Sequence, residues 1–116
     1  MKNLERLFKA LSDRNRIRIL KMLEVRPLCN CEVQEVLGLA PSTVSKHLTL
    51  LRNADLIQDR REGKWVIYNL TQVTDSPYSP ALLKLVQGWL KTDEAIVSDG
   101  AQVRQMQGKF SCTVEA

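Results

Sequence analysis

Leu28–Leu51, LCNCEVQEVLGLAPSTVSKHLTLL, reads as two short helices around a tight turn. Val33, Val36 and Leu37 in the first part, and Val44, Leu48 and Leu51 in the second, follow the spacing that lines one face of a helix. Between them Gly38 can take the left-handed conformation that ends a helix, and Pro41 suits the first turn of the next. Helix, short turn with glycine, helix is the pattern of a helix-turn-helix. The second helix leaves Ser42, Thr43, Ser45, Lys46, His47 and Thr49 off its apolar face. These are small polar groups and one cation, suited to phosphates and base edges. The first helix opens on Cys29-Asn30-Cys31, with Asn30 placed to cap it.

Working outward, residues 3–11 form a short amphipathic helix with Leu4, Leu7, Phe8 and Leu11 on one stripe. Ser12 or Asp13 can cap the next helix, which runs to about Glu24 and ends before Pro27. Ile17, Ile19, Leu20, Met22 and Leu23 spread over more than one of its faces, as expected of the central, most buried helix, and its Arg14, Arg16 and Arg18 need water or an acidic partner. After the second helix of the turn the period changes. Ile57 leads into QDRREGKW, then Val66, Tyr68 and Leu70 alternate, which predicts a β-hairpin around Glu62-Gly63. Arg60, Arg61 and Lys64 cluster at its tip. A basic hairpin following a helix-turn-helix is a wing, placed to reach the DNA backbone. A connector over residues 75–80 precedes a helix over about 80–92, apolar at Leu82, Leu83, Leu85, Val86, Trp89 and Leu90. With the stripe of the first helix, this excess of apolar residues points to a subunit interface. Residues 93–116 are polar without sustained period and are expected to be a mobile tail, leaving 1–92 as the DNA-binding and dimerisation domain.

At 116 residues the chain is one domain with an ordinary globular balance, 44% hydrophobic and 26% charged. Of its net +4, residues 1–64 hold 13 Lys/Arg against 8 Asp/Glu (+5) and residues 65–116 hold 4 against 5 (−1). The positive charge thus travels with the helix-turn-helix and the wing, as expected for a nucleic-acid binder. No apolar run spans a membrane and no signal-peptide pattern opens the chain, so it reads as cytoplasmic. Three cysteines, Cys29, Cys31 and Cys112, argue against a disulfide framework there. An enzyme would need a nucleophile, a base and an orienting group, and only Cys29 or Cys31 with His47 offers a pair, so no enzyme is expected.

Four segments, LFKALSDRNRIRIL, LCNCEV, STVSKHLTLLRNADLI and REGKWVIYNL, resemble the ArsR/SmtB family of winged-helix metalloregulators over roughly residues 3–92. The resemblance implies a mainly α fold with a small β-hairpin, a homodimer formed by the first and last helices, and repression of an operon until a metal or metalloid binds. LCNCEV looks most like the arsenic- and antimony-responsive branch, implying As(III) or Sb(III) as inducer and no organic cofactor. That branch often has a third cysteine where Gln34 stands here, so the site has two thiolates or recruits another ligand, for which Cys112 in the tail is the candidate. Asp55 stands where the family has a glycine, and the final helix lacks the histidines of the zinc-responsive branch.

Soft As(III) and Sb(III) prefer thiolates. Two thiolates two residues apart do not share a face of an intact helix, so chelation by Cys29 and Cys31 is expected to distort the helix start. The alternative keeps the DNA binding and makes the pair a redox or persulfide sensor. The reading from sequence is therefore a homodimer on double-stranded operator DNA, contacting it through Ser42, Thr43, Ser45, Lys46 and His47 and, from the wing, Arg60, Arg61 and Lys64.

Overall fold

In the computed structural model, which describes residues 1–106, six helices surround a small sheet. α1 (Lys2–Ala10) and α2 (Arg14–Val25) are followed by the short strand β1 (Leu28–Cys29), then α3 (Asn30–Leu37) and α4 (Pro41–Asn53). The strands β2 (Ile57–Glu62) and β3 (Trp65–Leu70) precede α5 (Ser79–Gln87) and α6 (Glu94–Gln105). The fold is a winged helix-turn-helix.

Asp13 caps α2, its carboxylate accepting from the backbone of Asn15 (2.8 Å) and Arg16 (3.2 Å). As its apolar spread requires, α2 is central, burying Ile19, Leu20, Met22 and Leu23 among α4, α6 and the sheet. Gly38 ends α3 at φ +68°, and Pro41 opens α4, which turns Val44, Leu48 and Leu51 into the core. Beyond α4 the chain reverses at Asp55, φ +62°, with the Leu56 amide donating to the Leu51 carbonyl at 3.1 Å. The tight turn therefore survives without glycine, because aspartate is among the few residues that tolerate the left-handed region. Thr74 holds the Asp55 carboxylate from the next connector.

β2 and β3 pair through a two-residue loop, Gly63-Lys64, with Glu62 opposite Trp65 and Gly63 at φ +62°. β1 adds to the other edge of β3, so the sheet order is β1-β3-β2. One row across it runs Cys29, Ile67, Arg60.

The C-terminal part differs from the sequence expectation. The helix expected over 80–92 stops at Gln87. Gly88 follows it and Leu90 takes φ +62°, so the chain turns instead of continuing. Leu85, Trp89 and Leu90 stay exposed, as does Phe8 of the first stripe. The tail expected from residue 93 opens as α6. Asp93 caps it through the amides of Ala95 (3.0 Å) and Ile96 (3.2 Å). Its stripe is Ile96, Gly100, Val103, and the glycine in the middle hides the period of a helix that packs on α2. Arg18 grips Asp99 with two bonds, 2.7 and 2.9 Å, supplying the acidic partner that α2 lacked locally.

Candidate nucleic-acid interface and thiol pair

α4 presents Ser42, Thr43, Ser45 and Lys46 exposed on the side away from its buried Val44, Leu48 and Leu51. His47 is half-buried, its Nδ1 3.1 Å from Arg16 Nη1. Arg60, Arg61 and Lys64 are exposed on the wing. Their charges are not equivalent. Arg60 is paired with Glu62 at 2.6 Å, and Lys64 lies over the Trp65 ring, 5.3 Å from its centroid. Among the described residues Arg61 has no ion pair. Arg52 near the end of α4 reaches Asp59 of β2 at 3.1 Å, so the reading helix and the wing are tied to each other as well as to the core.

The thiol pair sits behind this surface. Cys29 is fully buried and Cys31 nearly so, packed with Ile67 and Trp65 of β3. Their sulfurs are 3.3 Å apart. The expected conflict between the pair and a regular helix is therefore absent. Cys29 itself, not Asn30, is the cap, with extended backbone (φ −81°, ψ 162°) that swings its side chain over the first turn beside Cys31. The sulfur receives the Glu32 amide while the Glu32 carboxylate accepts the Cys29 amide at 3.0 Å, a capping box with cysteine in the usual serine position. Glu32 is itself buried and paired with Arg26 at 3.1 Å, and Arg26 also donates to the Val103 carbonyl of α6 at 3.3 Å. Burial first, then the Glu32 charge, push the Cys29 thiol up, against the amide bonds to its sulfur, so it is a neutral thiol near pH 7.

Sequence reasoning did not single out Glu32, Arg26 or Ile67. The first had a signal, since a glutamate three residues after a capping residue is the box spacing, masked by cysteine at the cap. The other two had none, being brought in from α2 and the wing. No third ligating side chain joins the pair among the described residues. Cys112 lies outside them.

Residues 13–59 match the description of the bacterial regulatory protein arsR family. Over 92 residues, 75% of this chain and 71% of that protein, the sequence is 38% identical to the arsenic resistance transcriptional regulator ArsR1 of Pseudomonas putida. The chain belongs to the arsR family. It is also 42% identical over 76 residues to the arsenical resistance operon repressor of Escherichia coli (strain K12), spanning 65% of this chain and 61% of that protein. HlyU from Vibrio cholerae N16961 has a similar solved structure, with a TM-score of 0.61 and 32% identity over 73% of this chain and 88% of that one. As an arsR-family member the chain is a DNA-binding transcriptional regulator rather than an enzyme. No described helix is long and apolar enough to cross a membrane.

Proposed function

We propose that the chain is a cytoplasmic repressor that binds operator DNA as a homodimer and is released when As(III) or Sb(III) binds Cys29 and Cys31. The observation that carries this reading is the 3.3 Å separation of two buried sulfurs. Two thiolates about 2.3 Å from one soft ion are about 3.8 Å apart at a tetrahedral angle. The 3.3 Å separation is within about 0.5 Å of that spacing, so one soft ion can join both sulfurs with little movement. Charge agrees. At Cys29, arsenous acid exchanges a hydroxyl for a neutral thiol and releases a water, with no net proton release, whereas a divalent cation must expel a proton from a group whose burial opposes the thiolate. The third position can keep its hydroxyl or take Cys112.

Release follows from what the sulfur already does. Cys29 caps α3, which supports α4, and its backbone pairs with Ile67, which pairs with Arg60 of the wing. A sulfur bound to a metalloid is a poorer acceptor for the Glu32 amide, so occupancy weakens the cap and disturbs the rung leading to the wing. Both DNA-facing elements are thereby biased by one site. DNA and metalloid must weaken each other equally, and a coupling of about 1–3 kcal/mol, or about 5–150-fold, is typical. Ser42, Thr43, Ser45, Lys46 and His47 would meet the major groove and Arg60, Arg61 and Lys64 the backbone. The exposed Phe8, Leu85, Trp89 and Leu90 supply an apolar surface for the homodimer.

Operator affinity with and without arsenite, under a non-chelating reductant, tests the reading in wild type, Cys29→Ser and Cys31→Ser. Each variant should bind DNA and ignore arsenite. Release of either as readily as wild type refutes the site. The proximity of the sulfurs would also serve a redox or persulfide sensor, although burial and a raised thiol pKa at Cys29 disfavour the reactive thiolate there. Release by oxidant and not by arsenite would establish that alternative instead.

A further inference from the structure

Arg16 lies on α2, outside the helix-turn-helix and the wing, yet its guanidinium reaches the reading helix. Its Nε donates to the Ala10 carbonyl at 2.7 Å and its Nη2 to the Lys9 carbonyl at 3.1 Å, both at the C-terminal end of α1. Cationic groups are favoured at that end of a helix, so the guanidinium is anchored where it is. Its backbone amide is held too, by the Asp13 carboxylate that caps α2. The remaining nitrogen, Nη1, lies 3.1 Å from His47 Nδ1. A guanidinium has only donors and stays protonated. The contact therefore makes His47 Nδ1 the acceptor, which requires a neutral ring carrying its proton on Nε2.

We infer that Arg16 is a positioning residue for DNA recognition: it holds His47 in the Nε2–H form, so that the ring offers DNA a neutral hydrogen-bond donor and nothing else. This rests on the DNA-binding reading and adds what the imidazole can read. Half-burial leaves one side of the ring toward the surface, on the same helical face as exposed Thr43 four residues earlier. A donor there matches acceptors, namely a phosphate oxygen, purine N7, guanine O6 or thymine O4. It cannot accept from the amino groups of adenine or cytosine, so it discriminates by chemistry as well as by shape. Being uncharged, it adds a directional bond without releasing a counterion.

The test has two parts on the full chain. Two-bond proton–nitrogen correlation on imidazole-labelled protein, without DNA and above the range where imidazole protonates, should show His47 protonated on Nε2. A ring protonated on Nδ1 overturns the inference. Arg16→Ala should then mix the tautomers. Because that variant also loses the α1 anchor, His47→Asn, which keeps an acceptor near Nδ1 and removes the outer donor, is the second variant. It should lose about five- to tenfold in operator affinity, the usual worth of one hydrogen bond, with the salt slope unchanged. A slope reduced by about 0.9 would mean that a cationic ring contacts a phosphate, and overturns the inference. Unchanged affinity overturns it also. Equal loss on operator and scrambled duplex identifies phosphate as the acceptor, and loss confined to the operator identifies a base edge; both are supporting outcomes. The tautomer is read without DNA, so its failure is separable from failure of the repressor reading, which the wild type's own operator titration decides.

Discussion

Replacing Glu32 by glutamine removes a charge from the centre of the thiol site while keeping its size. In the wild type the carboxylate accepts from the Cys29 amide at 3.0 Å and from Arg26 at 3.1 Å, and its side chain is 1% exposed. Glutamine retains an oxygen for one of these donors but turns a charge-assisted bond into a neutral one, roughly half as strong. The expected loss is about 1–2 kcal/mol. Glu32→Ala takes this acceptor from the Cys29 amide and leaves Arg26 only the backbone carbonyls of Pro27 and Val103. Because the Arg26 side chain is 21% exposed and can turn to water, that loss should lie near the lower end of the range for a broken buried pair, about 3 kcal/mol. In a domain of this size each kcal/mol moves Tm by about 4 °C, so glutamine should cost about 4–8 °C and alanine about 12 °C. The thiol gives an independent readout. The Glu32 charge adds to burial in raising the Cys29 pKa, so both variants should alkylate faster at Cys29 near pH 8, below denaturing temperatures. Calorimetry and mass-resolved alkylation check the two halves. If Glu32→Gln melts with the wild type and its Cys29 reacts at the wild-type rate, the capping-box account of this site is wrong.

Arg61→Ala should weaken DNA binding similarly across sequences and lower the salt slope by about 0.9, one phosphate contact. Arg60→Ala should do less, because Arg60 is already paired with Glu62; a titration over salt concentration checks both. Asp99→Ala should cost about 3 kcal/mol, since it strands Arg18 beside a buried position, and hydrogen exchange should show α6 losing protection before α2. Above about pH 8.5 the unfolded chain loses its Cys29 proton first, while the native chain, whose thiol pKa is raised, retains it. The native state then binds more protons than the unfolded one, so stability should fall as pH rises, and Cys29→Ser should flatten that fall in denaturant titrations between about pH 8 and 9.5.

The parts of this protein legible in its sequence are those set by local chemistry. Gly38 and Pro41 bracket the turn, Asp13 caps α2, and the alternation after Ile57 makes a hairpin, because each depends on neighbours within a few residues. The basic half and the Cys29/Cys31 pair were visible for the same reason. α6 was not, because its stripe passes through Gly100 and its stability comes from Arg18, 81 residues from Asp99. Nor was the geometry of the thiols legible. Two residues apart on a helix they would diverge, and only the extended backbone at Cys29, held by β1 pairing to β3, brings the sulfurs to 3.3 Å. The same holds for His47. Sequence offers a histidine on a polar face, but which nitrogen carries the proton depends on Arg16 arriving from another helix. Periodicity and capping thus determined the elements and their order. Which groups meet at the thiol pair and behind the reading helix was decided by packing, because those contacts join residues that no local pattern relates.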